Sequence, residues 1–299
     1  VPVRKEWLLA AGVTAVTAAV ALLLVRWLAP GLLGVPVDLQ MVRTAKEVPP
    51  FFAGIFRAED YGSQAFLISD PEVVTRGKPL YPDTITMGPN DILGFRNRAV
   101  PRVAEIVAVG DGQTYGNNAP LELTWPGRLE ARAAAVRPLS VYNVSVGAWG
   151  AVNYLKILDV ALMLRPRVIV IALYTGNDAL SDFRNAYGYE QWAALRPDPS
   201  LSASAAPAVA FPPPESERWA VAFRGGPATV MTPQYRLAAN DRDSVAVQAG
   251  YRIMAAAATA IRDRTARYGV LPVFTIIPTK ELVYAPRVSA EGIEAPAAY

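Results

Sequence analysis

Residues 168–174 read Val-Ile-Val-Ile-Ala-Leu-Tyr, with no charge and four β-branched side chains. A run this apolar does not leave one face in water, so it predicts a strand buried on both sides, as in parallel sheets. Parallel strands need long crossover connections, and the chain supplies helical spacing between further short apolar runs. Residues 106–109 predict a strand that meets a turn at Gly110-Asp111-Gly112, and residues 141–144 predict another. Residues 270–277 predict a further strand, with Pro272 near its start. Helices are predicted at 125–136 with Pro126 in the first turn, at 154–164 stopped near Pro166, and at 244–268 closed by Gly269. The fold class is α/β, a parallel sheet with helices on both faces.

Composition enters through the distribution of charge. The 299 residues are 52% hydrophobic and 18% charged, below the roughly 25% of an ordinary soluble domain. The excess sits at the start, where residues 7–25 form 19 consecutive positions without a charge. As a helix this run covers roughly 28 Å, close to the thickness of a bilayer core. Arg4 and Lys5 precede it, Trp7 and Trp27 bracket it at interfacial depth, and Arg26 can snorkel outward. A cleaved signal peptide would carry a shorter apolar core, of about 7–15 residues. Residues 1–33 are therefore expected to be a retained single-pass anchor that meets the lipid bilayer through residues 7–28. The basic flank places the N-terminus in the cytoplasm. Gly12, Ala15, Ala18 and Ala19 give the helix a small-residue face suited to other transmembrane subunits. Residues 34–102, rich in Pro and Gly, are expected to be a juxtamembrane arm that joins the edge of the domain. Residues 103–299 make the α/β domain, with a mobile Pro/Ala-rich insertion at 194–217.

Several function classes are excluded early. A net charge of +3 with no Lys/Arg block gives no nucleic-acid surface. The chain has no cysteine and no histidine. That removes disulfides, thiolate or His-ligated metal sites, and any Ser-His or Cys-His relay built from these residues. No metal and no organic cofactor is implied. The spacing Gly110, Gly112, Gly116 departs from the dinucleotide fingerprint, and Asp111 would sit against a pyrophosphate.

In a doubly wound sheet, sites lie at the carboxyl ends of strands. Three such ends here are polar and glycine-containing: residues 110–116, 143–150 and 174–178. Their order and spacing resemble the SGNH (GDSL-like) hydrolase superfamily, and most closely its membrane-anchored bacterial branch, in which an element like Gly94-Phe95-Arg96 often precedes the first block. The likeness covers residues 91–284 and implies an SGNH-like three-layer α/β/α sheet. The family's first block is Gly-Asp-Ser-x-Thr, whose Ser is the nucleophile. The chain reads Gly110-Asp111-Gly112-Gln113-Thr114, so Gly112 stands where the hydroxyl belongs. The second block gives an oxyanion amide from a glycine five residues after an Asn. Counting from Asn143 lands on Ala148, with Gly147 beside it. The third gives an Asn donor, matched by Asn177 next to Asp178, which also reads as a plain helix N-cap. The last block, Asp-x-x-His, has no counterpart, and the resemblance implies a domain incomplete at its C-terminus.

Acyl transfer needs a nucleophile beside a base. Removing either member of such a relay costs on the order of 10⁶-fold in turnover. Asp111, Thr114 and Ser145 are the nearby substitutes, and none has a visible base. Asp111, Gly112, Gly147, Ala148, Asn177 and Asp178 are thus expected to form a vestigial site with no intact catalytic residue. Gly112 itself reads as a relaxed turn glycine or as an engineered replacement. Two functions follow. The first is a catalytically inactive, membrane-anchored structural or interaction subunit of a photosynthetic, respiratory or envelope-polysaccharide assembly. The second is an inactivated or incomplete copy of an ester hydrolase acting on acetyl groups of envelope polysaccharide. Either way the resemblance places a periplasmic domain on the bacterial cytoplasmic membrane.

Overall fold

The computed structural model describes residues 66–84, 87–210, 213–226 and 228–299, together with Thr17 and Val20, both helical. Apart from those two positions, the anchor expected at 1–33 and the arm residues 34–65 lie outside the described residues. Among the described residues no helix is long and apolar enough to cross a membrane.

The described fold opens with an antiparallel hairpin, β1 (Leu67–Asp70) and β2 (Val74–Gly77). Asp70 shapes its turn, since Oδ1 accepts from the amides of Glu72 at 2.7 Å and Val73 at 3.0 Å. The alternating part follows: β3 (Ile106–Gly110), α1 (Gly112–Tyr115), α2 (Trp125–Ala134), β4 (Val141–Ser145), α3 (Ala151–Met163), β5 (Val168–Tyr174) and α4 (Asp178–Gly188). A second hairpin, β6 (Trp219–Ala222) and β7 (Ala228–Met231), leads into α5 (Pro233–Ala239) and α6 (Val245–Arg267). The described fold ends with β8 (Leu271–Ile277) and α7 (Lys280–Ala290).

Four strands form one parallel sheet in the order β4-β3-β5-β8, flanked by helices. Ile106 lies between Val141 and Val168, and Gly110 between Ser145 and Ala172. The chain runs outward from β3 to β4, then returns across β3 to β5. The ends of β3 and β5 therefore flank the point where strand order reverses, where crevices form in open α/β sheets.

The core packs Val107, Val109, Tyr142, Val144, Ile169 and Ile171 of the sheet against Tyr154, Ile157 and Leu158 of α3 and Ile261 of α6. α6 also crosses α4, and Gly250 sets how closely: a Cβ there would lie 1.9 Å from the Ala179 carbonyl oxygen. Cover thins toward β8, whose Leu271 and Ile276 are 59% and 68% exposed. β4, at the opposite margin, is almost wholly buried, so the exposure belongs to β8 and its surroundings rather than to margin position alone.

The structure adds detail to two expectations. Of the stretch 34–102, expected to be an arm joining the edge of the domain, the described part is packed on it: Val73, Leu93 and Phe95 belong to the same core as the sheet. Phe95 meets Tyr142 and Trp149 edge-on, with ring centroids 6.2 and 6.3 Å apart. The insertion expected to be mobile is tied down through α4. Arg184 donates to the carbonyls of Pro207 and Val209, Arg196 to that of Ala186, and the Tyr187 hydroxyl to that of Asp198. Segments without periodicity can be anchored by side chains reaching main-chain carbonyls.

Candidate functional site

The end of β3 is organised by a buried arginine. Arg96 is fully buried, and its Nε donates to the Gly88 carbonyl at 2.6 Å. Nη1 donates to the carbonyls of Tyr115 and Gly116, and Nη2 to that of Ala119 at 2.7 Å. The guanidinium also lies 5.1 Å from the Tyr115 ring centre. The Gly94-Phe95-Arg96 element is thus a clamp: Phe95 is rooted in the core, and Arg96 gathers the carbonyls of the turn after α1.

That turn curls back on α1, with the amides of Gly116 and Asn117 both donating to the Gly112 carbonyl, at 3.0 and 3.1 Å. The curl brings the Asn117 side chain over Gly112. A Cβ on Gly112 would lie 2.6 Å from Asn117 Nδ2 and 3.5 Å from Gly147 Cα. The amide of Asn117 occupies the space that a side chain at 112 would need. The substitutes for a nucleophile are withdrawn as well. Ser145 is buried and donates to Asn143 Oδ1. Thr114 is buried against Gly110, where an added Cβ would meet its Oγ1 at 2.0 Å. Asp111 caps α1, Oδ1 accepting from the Gln113 amide at 2.8 Å.

The turn after β4 puts a non-glycine residue in a glycine conformation. Ala148 has φ +68°, the left-handed region that favours glycine. Gly147 is open, with only Asn117 Nδ2 near, 3.7 Å from where its Cβ would be. Trp149 and Tyr115 are core residues: Trp149 Nε1 donates to the Thr75 carbonyl, and the Tyr115 hydroxyl to Asn90 Oδ1.

At the end of β5, Asn177 stands at the N-cap of α4, yet its side chain makes no capping bond. Its Nδ2 donates to Ser181 Oγ at 3.2 Å, and its side chain also bonds Tyr235. Asn177 is thus the N-cap by position, while Ser181 and Tyr235 take up its side-chain amide. Asp178 does the inward work. Its Oδ2 accepts from the Tyr174 amide at 2.8 Å and the Tyr154 hydroxyl at 3.1 Å. One turn on, Asp182 Oδ1 accepts from the Val152 amide at 2.9 Å. Asp178 Oδ1 and Asp182 Oδ2 are buried without a partner.

Burial dominates the electrostatics. It pushes Asp111 up to about 7, against the amides of Gln113 and Thr114 and the charge of Arg236. Asp182 rises to about 7 for the same reason, opposed by the amides of Val152 and Ala151. Burial also holds Asp178 well above the usual carboxylate range, reinforced by the charges of Asp111 and Asp182. Asp178 lies near enough to Asp111 and Asp182 to feel their charges, and the hydroxyl it holds is that of Tyr154, which is fully buried in the core. Among the described residues no cluster of three or more Asp or Glu side chains is arranged to hold a metal ion.

The structure thus brings Asp111, Gly112, Gly147 and Ala148 to one strand end, and Asn177 and Asp178 to its neighbour across the switch point. Three residues that matter here were absent from the sequence reading. Asn117 sits in a polar Gly-Asn-Asn turn that carries no motif, Asp182 is spaced one helical turn from Asp178, and Arg236 arrives from α5, beyond the insertion. Only the Asp178/Asp182 spacing was a usable signal. Compared with known proteins, the chain matches no family model, and no curated protein matches it.

Proposed function

We propose that this protein is a non-catalytic, membrane-anchored binding or scaffolding subunit built on an SGNH-like three-layer α/β/α domain. The observation that carries the reading is the pairing of Gly112 with Asn117. Position 112 carries no hydroxyl, and the Asn117 side-chain amide fills the space one would need. The absence of histidine from the sequence removes the usual base. The anchor over residues 7–28 holds the domain on the periplasmic side of a bacterial cytoplasmic membrane, and Gly12, Ala15, Ala18 and Ala19 dock other transmembrane subunits. The assembly it joins is photosynthetic, respiratory or involved in envelope polysaccharide. Purification in mild detergent tests this reading, with copurifying subunits expected. A monodisperse monomer that hydrolyses p-nitrophenyl acetate or is labelled by a fluorophosphonate would overturn it.

A second reading rests on a different observation. Ala148 keeps a left-handed backbone and Gly147 stays open beside it, the geometry an oxyanion amide pair would need. On that reading the chain is an inactivated or incomplete copy of an anchored ester hydrolase acting on acetylated envelope polysaccharide. A serine codon at position 112 in the gene, followed by a downstream Asp-x-x-His, selects it. Glycine there with no such histidine selects the first.

A further inference from the structure

A cavity of about 290 Å³ opens beyond the carboxyl ends of β5 and β8. Arg236, Arg242, Thr175, Thr279, Tyr251 and Glu281 are among its walls. None of the residues of the vestigial site lines it. Its size suits a ligand at the small end of the usual range.

Arg236 is the unusual group. Its guanidinium carbon sits 5.2 Å from the ring centres of both Tyr174 and Tyr235, so two aromatic faces fix its plane. Nη1 donates to the Gly176 carbonyl at 3.1 Å, while Nε is buried without an acceptor. Among the described residues no carboxylate comes within 4.0 Å of it. A half-buried guanidinium that has lost water and gained one carbonyl is under-compensated, and its planar fork matches an oxyanion. Arg242 adds a second cation: its carbonyl accepts from Gln248, and its guanidinium has no partner among the described residues. Lys280 is near enough for its ammonium to feel the charge of Arg236. Against these three stand Glu281, whose Oε1 accepts from the Thr232 amide at 2.7 Å while its Oε2 is buried without a partner, and Asp111, which feels the charge of Arg236 from outside the cavity. The balance is positive and the geometry is fixed in advance.

We propose that this cavity binds a small organic oxyanion, a carboxylate or a phosphate ester, held by the guanidinium groups of Arg236 and Arg242. The site goes beyond the scaffolding reading and does not depend on the loss of the nucleophile, so neither result decides the other. The test is calorimetric titration of the intact chain in detergent with D-glucuronate, D-glucose 6-phosphate and uncharged D-glucose. At least one charged sugar should bind at millimolar concentration or below, about tenfold or more tighter than glucose. Tighter binding of glucuronate assigns the site to carboxylates, and tighter binding of the phosphate ester assigns it to phosphates. Arg236→Gln should weaken the preferred anion about tenfold, and the exposed Arg242→Gln several-fold. If Arg236→Gln does not fold, Arg236→Lys with Arg242→Gln carries the test, because lysine keeps the charge without the fork. Equal binding of glucose, no binding of either charged sugar, or affinity unchanged in the folded variants overturns the proposal.

Discussion

The ends of β3 and β5 are neighbours in the sheet, with Gly110 opposite Ala172, yet they treat polar groups in opposite ways. At the β3 end each arginine nitrogen finds a carbonyl, and the turn it gathers lies closed over Gly112. At the β5 end a fixed guanidinium has one carbonyl, and two buried carboxyls each leave an oxygen without a partner. Thr114 Oγ1, against Gly110, is buried without a partner, but the Arg96 network beside it is satisfied; such a network makes a rigid scaffold, whereas an incompletely satisfied one stores free energy that a proton or a ligand can release. Whatever this domain senses or binds should therefore act through the β5 end, while the β3 end holds shape.

The largest effect should come from cutting the clamp. Arg96→Ala removes a buried cation and strands the carbonyls of Gly88, Tyr115, Gly116 and Ala119. Denaturant unfolding is expected to show a loss of about 3–5 kcal/mol. Arg236→Ala at the other end should cost far less, because it strands one carbonyl. Equal losses would erase the contrast between the two ends.

Buried carboxyls on both sides should respond to pH, Asp178 and Asp182 on α4 after β5 and Asp111 in the turn after β3. Burial pushes Asp111 and Asp182 up to about 7 and holds Asp178 well above the usual carboxylate range, all above the value near 3.8 of the unfolded chain. Asp91 titrates near 6 because it too is buried, against bonds from Tyr142 and Asn97. A raised carboxyl means that the folded state binds more protons, so stability falls as pH climbs from about 4 through 7. Glu105, Asp198 and Glu291 are shifted down and lose stability only below the usual carboxylate range. Thermal melts should therefore be highest near pH 5 and lower at pH 8. Asp182→Asn keeps the Val152 bond and removes the titration. It should recover about 2 kcal/mol of the difference between those pH values. An unchanged pH slope in this variant would show that Asp182 is charged in the fold.

Why the two ends were unequally legible follows from the range of their interactions. The run 168–174 is a strand over the residues its pattern marks, because burial on both faces is a local property of seven side chains. The long helix, predicted at 244–268, spans Val245–Arg267, and Gly269 does lie in the left-handed region. The helix predicted from 154 begins at Ala151, since its first turn is set by Asn153 Oδ1 accepting from the Gly150 amide, which lies before the apolar run. Hairpins β1/β2 and β6/β7 carry four residues per strand and little alternation, too short for periodicity to speak. At the candidate site, Asp111, Gly112 and Asn177 were readable as a spaced pattern. Arg96 was readable only as part of a Gly-Phe-Arg element, and its burial depends on carbonyls up to 23 residues away. Arg236 meets the site only after the insertion has folded back.

A smaller effect tests the backbone of the closed end. Ala148 sits at φ +68°, where a Cβ crowds the following carbonyl at a cost of about 1 kcal/mol. Ala148→Gly should return that amount as added stability in denaturant unfolding, minus a few tenths for the freedom glycine gains when unfolded. A loss of stability would mean that this backbone is held by its neighbours rather than tolerated by them.

The smallest expected effect is on activity, from Gly112→Ser. The new Cβ would displace Asn117 Nδ2, the mobile end of an exposed side chain, so the fold should lose less than about 1 kcal/mol. The variant then carries a hydroxyl after β3 and still has no imidazole to take its proton. Asp111 is no substitute, because its carboxyl is buried in the turn of α1 and its charge is felt at Asp178 and Tyr154. Hydrolysis of p-nitrophenyl acetate should stay within about tenfold of the parent chain, since a nucleophile without its base contributes little. A gain of about a hundredfold or more would reveal a base that this geometry does not contain, and the closed end would then count as a dormant catalytic site rather than a scaffold.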